Sequence, residues 1–336
     1  MFAQCSHCGR RRGSTGRPDP VHRIALLDDH QSAAARFADW SGLPEPAEVV
    51  AFADSVPDAD ALVARLRGFD VVVAMRERTA FPREVLERLT DLRLLVTTGG
   101  ANAAIDLDAA RDLGITVCGT GAHGPATTEL TWALILAVAR HVPAEDASVR
   151  AGGWQHTVGR DLAGATLGVL GLGRLGEQVA RVGLAFGMDV VAWSANLTDE
   201  RAAEVSVRRV QRDELLRTAD VVTVHLKLSD RTRGLLGAAE LALLKPTAIL
   251  VNTSRGPIVD EAALVDVLRA GAIHGAGLDV YDTEPLPLDS PLRELRRAVL
   301  TPHLGYVTER TYEVFWRDAV EDVTAWLSGT PVRTIS

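Results

Sequence analysis

Between residues 167 and 301 one pattern recurs: an apolar run of four or five residues, then a stretch with helical spacing, then another apolar run. The runs fall at 167–170, 189–193, 221–225, 248–252, 275–279 and 298–301. Short runs unbroken by polar residues suit strands buried on both faces. Strands that alternate with helices imply a parallel sheet. A less regular version fills the first third, with strands expected at 24–27, 49–52, 70–75, 94–97 and 115–117. Helices are expected there over 32–40, 59–67, 82–89 and 107–113, and further on over 127–140, 177–186 and 309–327. The fold class is therefore α/β with two parallel-sheet units, the second having about six strands.

The length, 336 residues, accommodates two such units. Lys and Arg number 36 against 44 Asp and Glu, a net charge of −8. That balance argues against a nucleic-acid or anionic-membrane surface, which needs a basic excess. Residues 1–20 are rich in Gly, Arg, Pro and Ser without periodicity and read as a disordered tail. Cys5 and Cys8 flank His7 in that tail at metal-ligand spacing, but a structural zinc site needs four ligands and no second pair follows. No metal is expected. Three cysteines build no disulfide framework, the longest strongly apolar stretch near a helix is too short for a bilayer, and the start lacks an apolar signal core. A cytoplasmic protein is the expectation.

Gly171-Leu-Gly173-Arg174-Leu175-Gly176 directly follows the strand at 167–170 and opens a helix. In a strand–loop–helix turn of this kind the first glycine makes the turn, the second lets backbone approach a pyrophosphate, and the third lets helix and strand pack closely. The diphosphate then faces the positive helix N-terminus. An acid that holds the ribose 2′-hydroxyl is expected at the end of the next strand, and this chain has Ser194 there. Serine neither favours NAD by charge nor repels the 2′-phosphate of NADP, so the choice stays open. Arg201, Arg208 and Arg209 lie downstream and could meet a phosphate, although solvated helix charges are the simpler reading.

Three later strand ends carry polar residues in apolar surroundings: Asn252-Thr253-Ser254-Arg255, Asp279-Val-Tyr-Asp-Thr-Glu284, and Thr301-Pro-His303. Ligands of open parallel sheets bind outside these carboxyl ends. With GLGRLG, HLKLSDRTRGLLG, LKPTAILVNTSRGPIVDEAALVDVLRAG, GAGLDVYDTEPLP and TPHLG in order, the chain resembles the D-2-hydroxyacid dehydrogenase family, which includes phosphoglycerate dehydrogenase and glyoxylate reductase. The resemblance is dense over about residues 90–325 and rests on pattern alone over 22–90.

What the resemblance implies is specific. His303 is the acid/base of a hydride transfer between a D-2-hydroxyacid and its 2-oxoacid. Glu284 is its carboxylate partner, whose charge favours the imidazolium and fixes the ring. Arg255 grips the substrate carboxylate and carbonyl. Gly171, Gly173, Arg174, Leu175, Gly176, Ser194, Thr253, Asp279 and His303 line the dinucleotide, with Asp279 at the nicotinamide end. The backbone N–H groups of Gly99, Gly100 and Ala101 cradle the substrate carboxylate. NAD is slightly favoured over NADP. A dinucleotide domain over 122–304 is inserted in a substrate domain made of 21–121 and 305–336, closure brings the cradle onto the substrate, and the protein is a homodimer.

Some residues depart from the family. Ala101 supplies no basic group to the cradle loop, which argues weakly against a phosphorylated substrate. Tyr306 stands where small residues are frequent and could narrow the pocket. Glu284, where formate dehydrogenases of the superfamily have glutamine, favours hydroxyacid chemistry. Two other readings compete: a non-catalytic dinucleotide-sensing protein similar to the corepressors of this fold, and a zinc-dependent module built on Cys5 and Cys8.

Overall fold

The computed structural model describes residues 21–56, 58–122 and 124–336. The tail with Cys5, His7 and Cys8, and also His123, lie outside the described residues. The chain divides into two compact units: the described residues up to Ala122 together with Tyr312–Ser336, and His123–Thr311. The second unit is thus inserted in the first. The chain returns at Tyr312, inside the helix Glu309–Leu327, rather than at residue 305. Residues 305–311 stay with the second unit, where the Gly305 N–H and carbonyl are bonded to Asp279 and Thr127.

The first unit holds a five-stranded parallel sheet of β1 (His22–Leu26), β2 (Ala47–Ala51), β3 (Val71–Ala74), β4 (Leu94–Thr97) and β5 (Thr116–Gly119). Its order is β2-β1-β3-β4-β5. Every residue of β3 and β4 is buried, as their uninterrupted Val and Leu runs require of strands covered on both faces. Asp58 and Asp106 start the helices Ala59–Leu66 and Leu107–Asp112 by accepting the Ala61 and Ala109 N–H groups at 2.8 Å each. The helix expected over 32–40 is only Ala34–Phe37. Trp40 leaves the helical path, sets its ring edge-on to Trp316 at 6.3 Å, and donates its indole N–H to Ala34 O. Here tertiary burial of an aromatic ring overrides local periodicity.

The chain's last segment fastens to the same unit. Ile335 N–H donates to Val117 O, and Thr334 bridges Cys118 antiparallel. Arg333 donates through Nε to Asp322 Oδ1 at 3.0 Å. Asp322 is fully buried. Burial pushes its carboxyl up to about 7 against the pull of Arg333, and the nearby Asp318 and Glu321 add to the rise. The folded state therefore holds this proton more tightly than the unfolded chain. Its contribution to stability is lost as pH rises from the usual carboxylate range to about 7. Asp322→Asn should flatten the dependence of Tm on pH across that window. An unaltered slope in thermal unfolding scans would refute the assignment.

The second unit holds a seven-stranded parallel sheet: β6 (Thr166–Leu170), β7 (Asp189–Trp193), β8 (Arg208–Arg209), β9 (Val221–Val224), β10 (Ile249–Asn252), β11 (Gly275–Leu278) and β12 (Ala298–Leu300). Its order is β12-β11-β10-β9-β6-β7-β8. The sequence implied about six strands. The extra one, β8, is two exposed arginines and carries no apolar signal. The helix Val142–Arg150, which buries none of its residues, also went unforeseen. Winding reverses between β6 and β9, and a ligand crevice forms outside the carboxyl ends of strands at such a point. Among the described residues no helix is long and apolar enough to cross a membrane.

Candidate active site

The glycine loop leaves β6 at the winding reversal. Gly171 has φ +101°, and a Cβ there would lie 2.6 Å from the His225 carbonyl oxygen at the end of β9. Gly176 sits in the first turn of the helix Arg174–Ala185, where a Cβ would meet Gly171 O at 1.9 Å. Both positions therefore exclude any side chain. Gly173 differs: no protein atom lies within 4 Å of a Cβ built on it. Backbone is thus presented, uncovered by protein, at the N-terminus of a 12-residue helix. That arrangement fits a dinucleotide pyrophosphate.

Ser194 follows β7, and its Oγ accepts the Leu172 N–H at 3.0 Å. It therefore braces the glycine loop from the end of the strand that follows. Arg174 reaches back toward Gly124 O at 3.5 Å. Arg201 pairs with Glu177 and Glu204, Arg208 with Asp189 and Glu214, and Arg209 with Asp199. These pairings match the solvated-charge reading of the three arginines. His225, bonded through Nε2 to Thr223 Oγ1 at 2.9 Å, is lowered by burial to about 4 and stays neutral.

Arg255, Glu284 and His303 follow β10, β11 and β12, which are neighbours in the sheet. The Arg255 loop is closed by Asn252, which donates to Arg255 O at 2.9 Å and accepts the Ser254 N–H at 3.0 Å. Arg255 NH1 donates to Ser254 O at 2.8 Å. Gly256 lies so close to the Tyr281 backbone that a Cβ would come within 2.1 Å of it. Tyr281 in turn donates its hydroxyl to Thr301 O at 2.9 Å, so the three loops are tied in sequence.

Glu284 Oε1 accepts the Tyr281 N–H at 2.9 Å, and Oε2 lies 2.6 Å from His303 Nδ1. Burial pushes the Glu284 carboxyl up. The hydrogen bond and charge of His303, the Tyr281 N–H and the Arg255 charge outweigh that, so it is held below the usual carboxylate range. An ionised Glu284 makes Nδ1 the donor and fixes the ring through that nitrogen. The Tyr306 ring meets the imidazole edge-on at 5.8 Å.

Asp279, wholly buried, accepts Thr301 Oγ1 at 2.6 Å, Leu304 N–H at 2.7 Å and Gly305 N–H at 2.9 Å. Burial raises its pKa. Its bonds to Thr301, Leu304 and Gly305 shape the loop that holds His303 at φ +55°.

In the first unit the loop after β4 is pinned by Asn102. It donates to Arg76 O at 2.7 Å and Thr97 Oγ1 at 2.9 Å, and accepts the Ala104 N–H at 2.8 Å. The Gly99 N–H donates to Thr120 Oγ1 at 2.7 Å, so an anion cradle here rests on Gly100 and Ala101. Arg76, after β3, lies against Gly99, where a Cβ would come within 1.7 Å of its NH1, and donates to Thr98 O at 3.1 Å. A guanidinium, itself paired with Glu77 at 3.5 Å, therefore borders the Gly99 loop, although Ala101 supplies none. Sequence reading passed over Arg76 because it precedes its loop by more than twenty residues and meets it only through the pairing of β3 with β4.

Residues 132–305, just over half of the chain, match the family of D-isomer specific 2-hydroxyacid dehydrogenases, in its NAD binding domain. The chain belongs to this family. Among its relatives in the D-isomer specific 2-hydroxyacid dehydrogenase family is the glyoxylate reductase of Aeropyrum pernix, 41% identical over 256 residues, covering 73% of this chain and 76% of that protein. The D-3-phosphoglycerate dehydrogenase of Mycobacterium tuberculosis is 38% identical over 296 residues, covering 84% of this chain. The chain spans about half the length of that relative, 55%. The solved phosphoglycerate oxidoreductase of Vibrio cholerae superposes with a TM-score of 0.87 at 36% identity, covering 92% of this chain and all of that one. The two parallel sheets are thus those of this dehydrogenase family, as the motifs after residue 90 implied. Among the described residues no group of three or more His, Cys, Asp or Glu is placed to hold a metal.

Proposed function

We propose that the protein is a nicotinamide-dinucleotide-dependent D-2-hydroxyacid dehydrogenase that interconverts a small 2-oxoacid and its D-2-hydroxyacid. The observation that carries this reading is the 2.6 Å bond between Glu284 and His303, beside Arg255, on the edge where the glycine loop also opens. Gly173, Arg174, Leu175 and Gly176 would hold the pyrophosphate at the helix N-terminus, and Ser194 the ribose. The nicotinamide, when bound, supplies or accepts the hydride at the substrate's C2.

Arg255 binds the planar oxoacid through paired N–H donors, and its charge polarises the carbonyl. His303 donates its Nε2 proton to the carbonyl oxygen in reduction and removes it in oxidation. Glu284 holds the ring in the orientation that serves both directions, and stabilises the charged imidazolium. Gly100 and Ala101 are the candidate carboxylate cradle, with Arg76 as an added cation for an anionic substrate. The glyoxylate reductase and phosphoglycerate dehydrogenase relatives bracket the substrate class, so both small and phosphorylated oxoacids belong in the assay. A solved acyclic imino acid reductase, 25% identical, is in complex with NADPH, so both dinucleotides belong in the assay. The protein is proposed to act as a homodimer in the cytoplasm.

The test is loss of nicotinamide absorbance when NADH or NADPH is mixed with glyoxylate, hydroxypyruvate, pyruvate or 3-phosphohydroxypyruvate. Oxidation by the wild type that disappears in a His303 variant supports the reading. Tight dinucleotide binding without turnover of any oxoacid would favour the dinucleotide-sensing alternative. Ser194→Asp should raise the NADH:NADPH ratio of kcat/KM by about tenfold, because a carboxylate beside a 2′-phosphate is repulsive. An unmoved ratio would show that Ser194 serves only the Leu172 N–H.

A further inference from the structure

The helix Ala126–Ala139 carries three threonines near its start, and each reaches a different part of the site. Thr127 Oγ1 donates to the carbonyl of Gly305, two residues after His303, at 2.8 Å. Thr128 Oγ1 donates to Gln178 Oε1 at 2.9 Å, on the helix that the glycine loop opens. Thr131 Oγ1 donates to Thr127 O at 2.8 Å and meets Thr253 Oγ1, two residues before Arg255, at 2.8 Å. With the Thr131 proton on Thr127 O, the proton between the two hydroxyls comes from Thr253.

Thr131 has no exposed surface, and Thr128 and Thr253 are 6% and 7% exposed. Hydroxyls this deep are costly unless paired, and apolar residues would pack the helix without them. Leu134, Ile135 and Val138 do that further along the same helix. The helix also packs closely on the sheet. β11 presents Gly275 and Gly277 beneath it, where added Cβ atoms would stand 3.0 Å from Val138 Cγ1 and 2.9 Å from Leu134 Cβ. Only with those two side chains missing can the helix descend far enough for such short side chains to span the gap.

We infer that Thr127, Thr128 and Thr131 are positioning residues through which one helix sets the His303 loop, the dinucleotide-binding helix and the Arg255 loop. The inference rests on the dehydrogenase reading above. Each threonine has one partner system, so the three should separate in their effects. Valine removes the hydroxyl at nearly constant volume, and serine restores it.

Thr128→Val should raise the NADH dissociation constant, read by fluorescence, about fivefold, the scale of one neutral hydrogen bond. Thr131→Val should raise KM for glyoxylate, and the dissociation constant of oxalate with NADH present, about fivefold, and by more than it raises the NADH dissociation constant. Thr127→Val should lower kcat by about the same factor with KM unchanged. Each serine variant should return toward wild type. Valine variants that alter only Tm, or that move all three constants alike, would overturn the inference. If the wild type reduces neither glyoxylate nor hydroxypyruvate, it is the dehydrogenase reading that fails for these substrates. The ladder is then decided by the NADH constant of Thr128→Val and the oxalate constant of Thr131→Val.

Discussion

His303→Ala is expected to lower kcat for oxoacid reduction by about 10²–10⁴-fold, the usual worth of a positioned general acid. NADH affinity should change far less than kcat, because the glycine loop that would hold the pyrophosphate is untouched. His303 has φ +55°, a left-handed conformation in which alanine is strained. His303→Asn is therefore the companion variant, since asparagine tolerates that region better. Equal losses in both variants would assign the effect to the missing proton donor. Recovery in the asparagine variant would assign it to the loop, and so would remove His303 from the chemistry. Steady-state kinetics with NADH in excess separates the outcomes.

Arg255→Ala should reduce kcat/KM for the oxoacid by about 10²–10³-fold, through loss of a charge-assisted contact made more strongly in the transition state. Arg255→Lys should recover little of it, because an ammonium cannot make two parallel bonds to a carboxylate. The backbone around Arg255 should survive, since Asn252 closes that loop through main-chain partners. An alanine variant with wild-type kcat/KM would reduce Arg255 to a loop cap, through contacts such as its bond to Ser254 O.

The repeating apolar runs and the loops that follow them made the second unit legible in the sequence. Strands such as 189–193 and 94–97 fall where expected, because the apolar residues inside them are buried. Arg255, Glu284 and His303 were visible because they lie in the loops that follow apolar strands and within motifs that resemble the family's. What sequence could not show was contact made through space. The Thr127, Thr128 and Thr131 hydroxyls sit in an apolar-looking helix, and their partners lie 50 to 178 positions away. The Thr120 hydroxyl that takes the Gly99 N–H is also supplied by tertiary structure, from the end of the adjacent strand. Arg208 and Arg209 form a strand that no hydropathy pattern announces, because an exposed edge strand has no need of one.

Arg255, Glu284 and His303 each leave the end of one of three adjoining strands, β10, β11 and β12. Neighbouring strands stand about 4.8 Å apart. The separation of the three loop starts is therefore a property of the backbone ladder, and the lengths of chain between them do not enter into it. Segments grafted into the outer surfaces of the intervening crossovers would leave the reacting groups in place. A sheet that measures out its own chemistry in this way leaves its exterior free to diverge, and a lineage could alter that exterior repeatedly without rebuilding its centre.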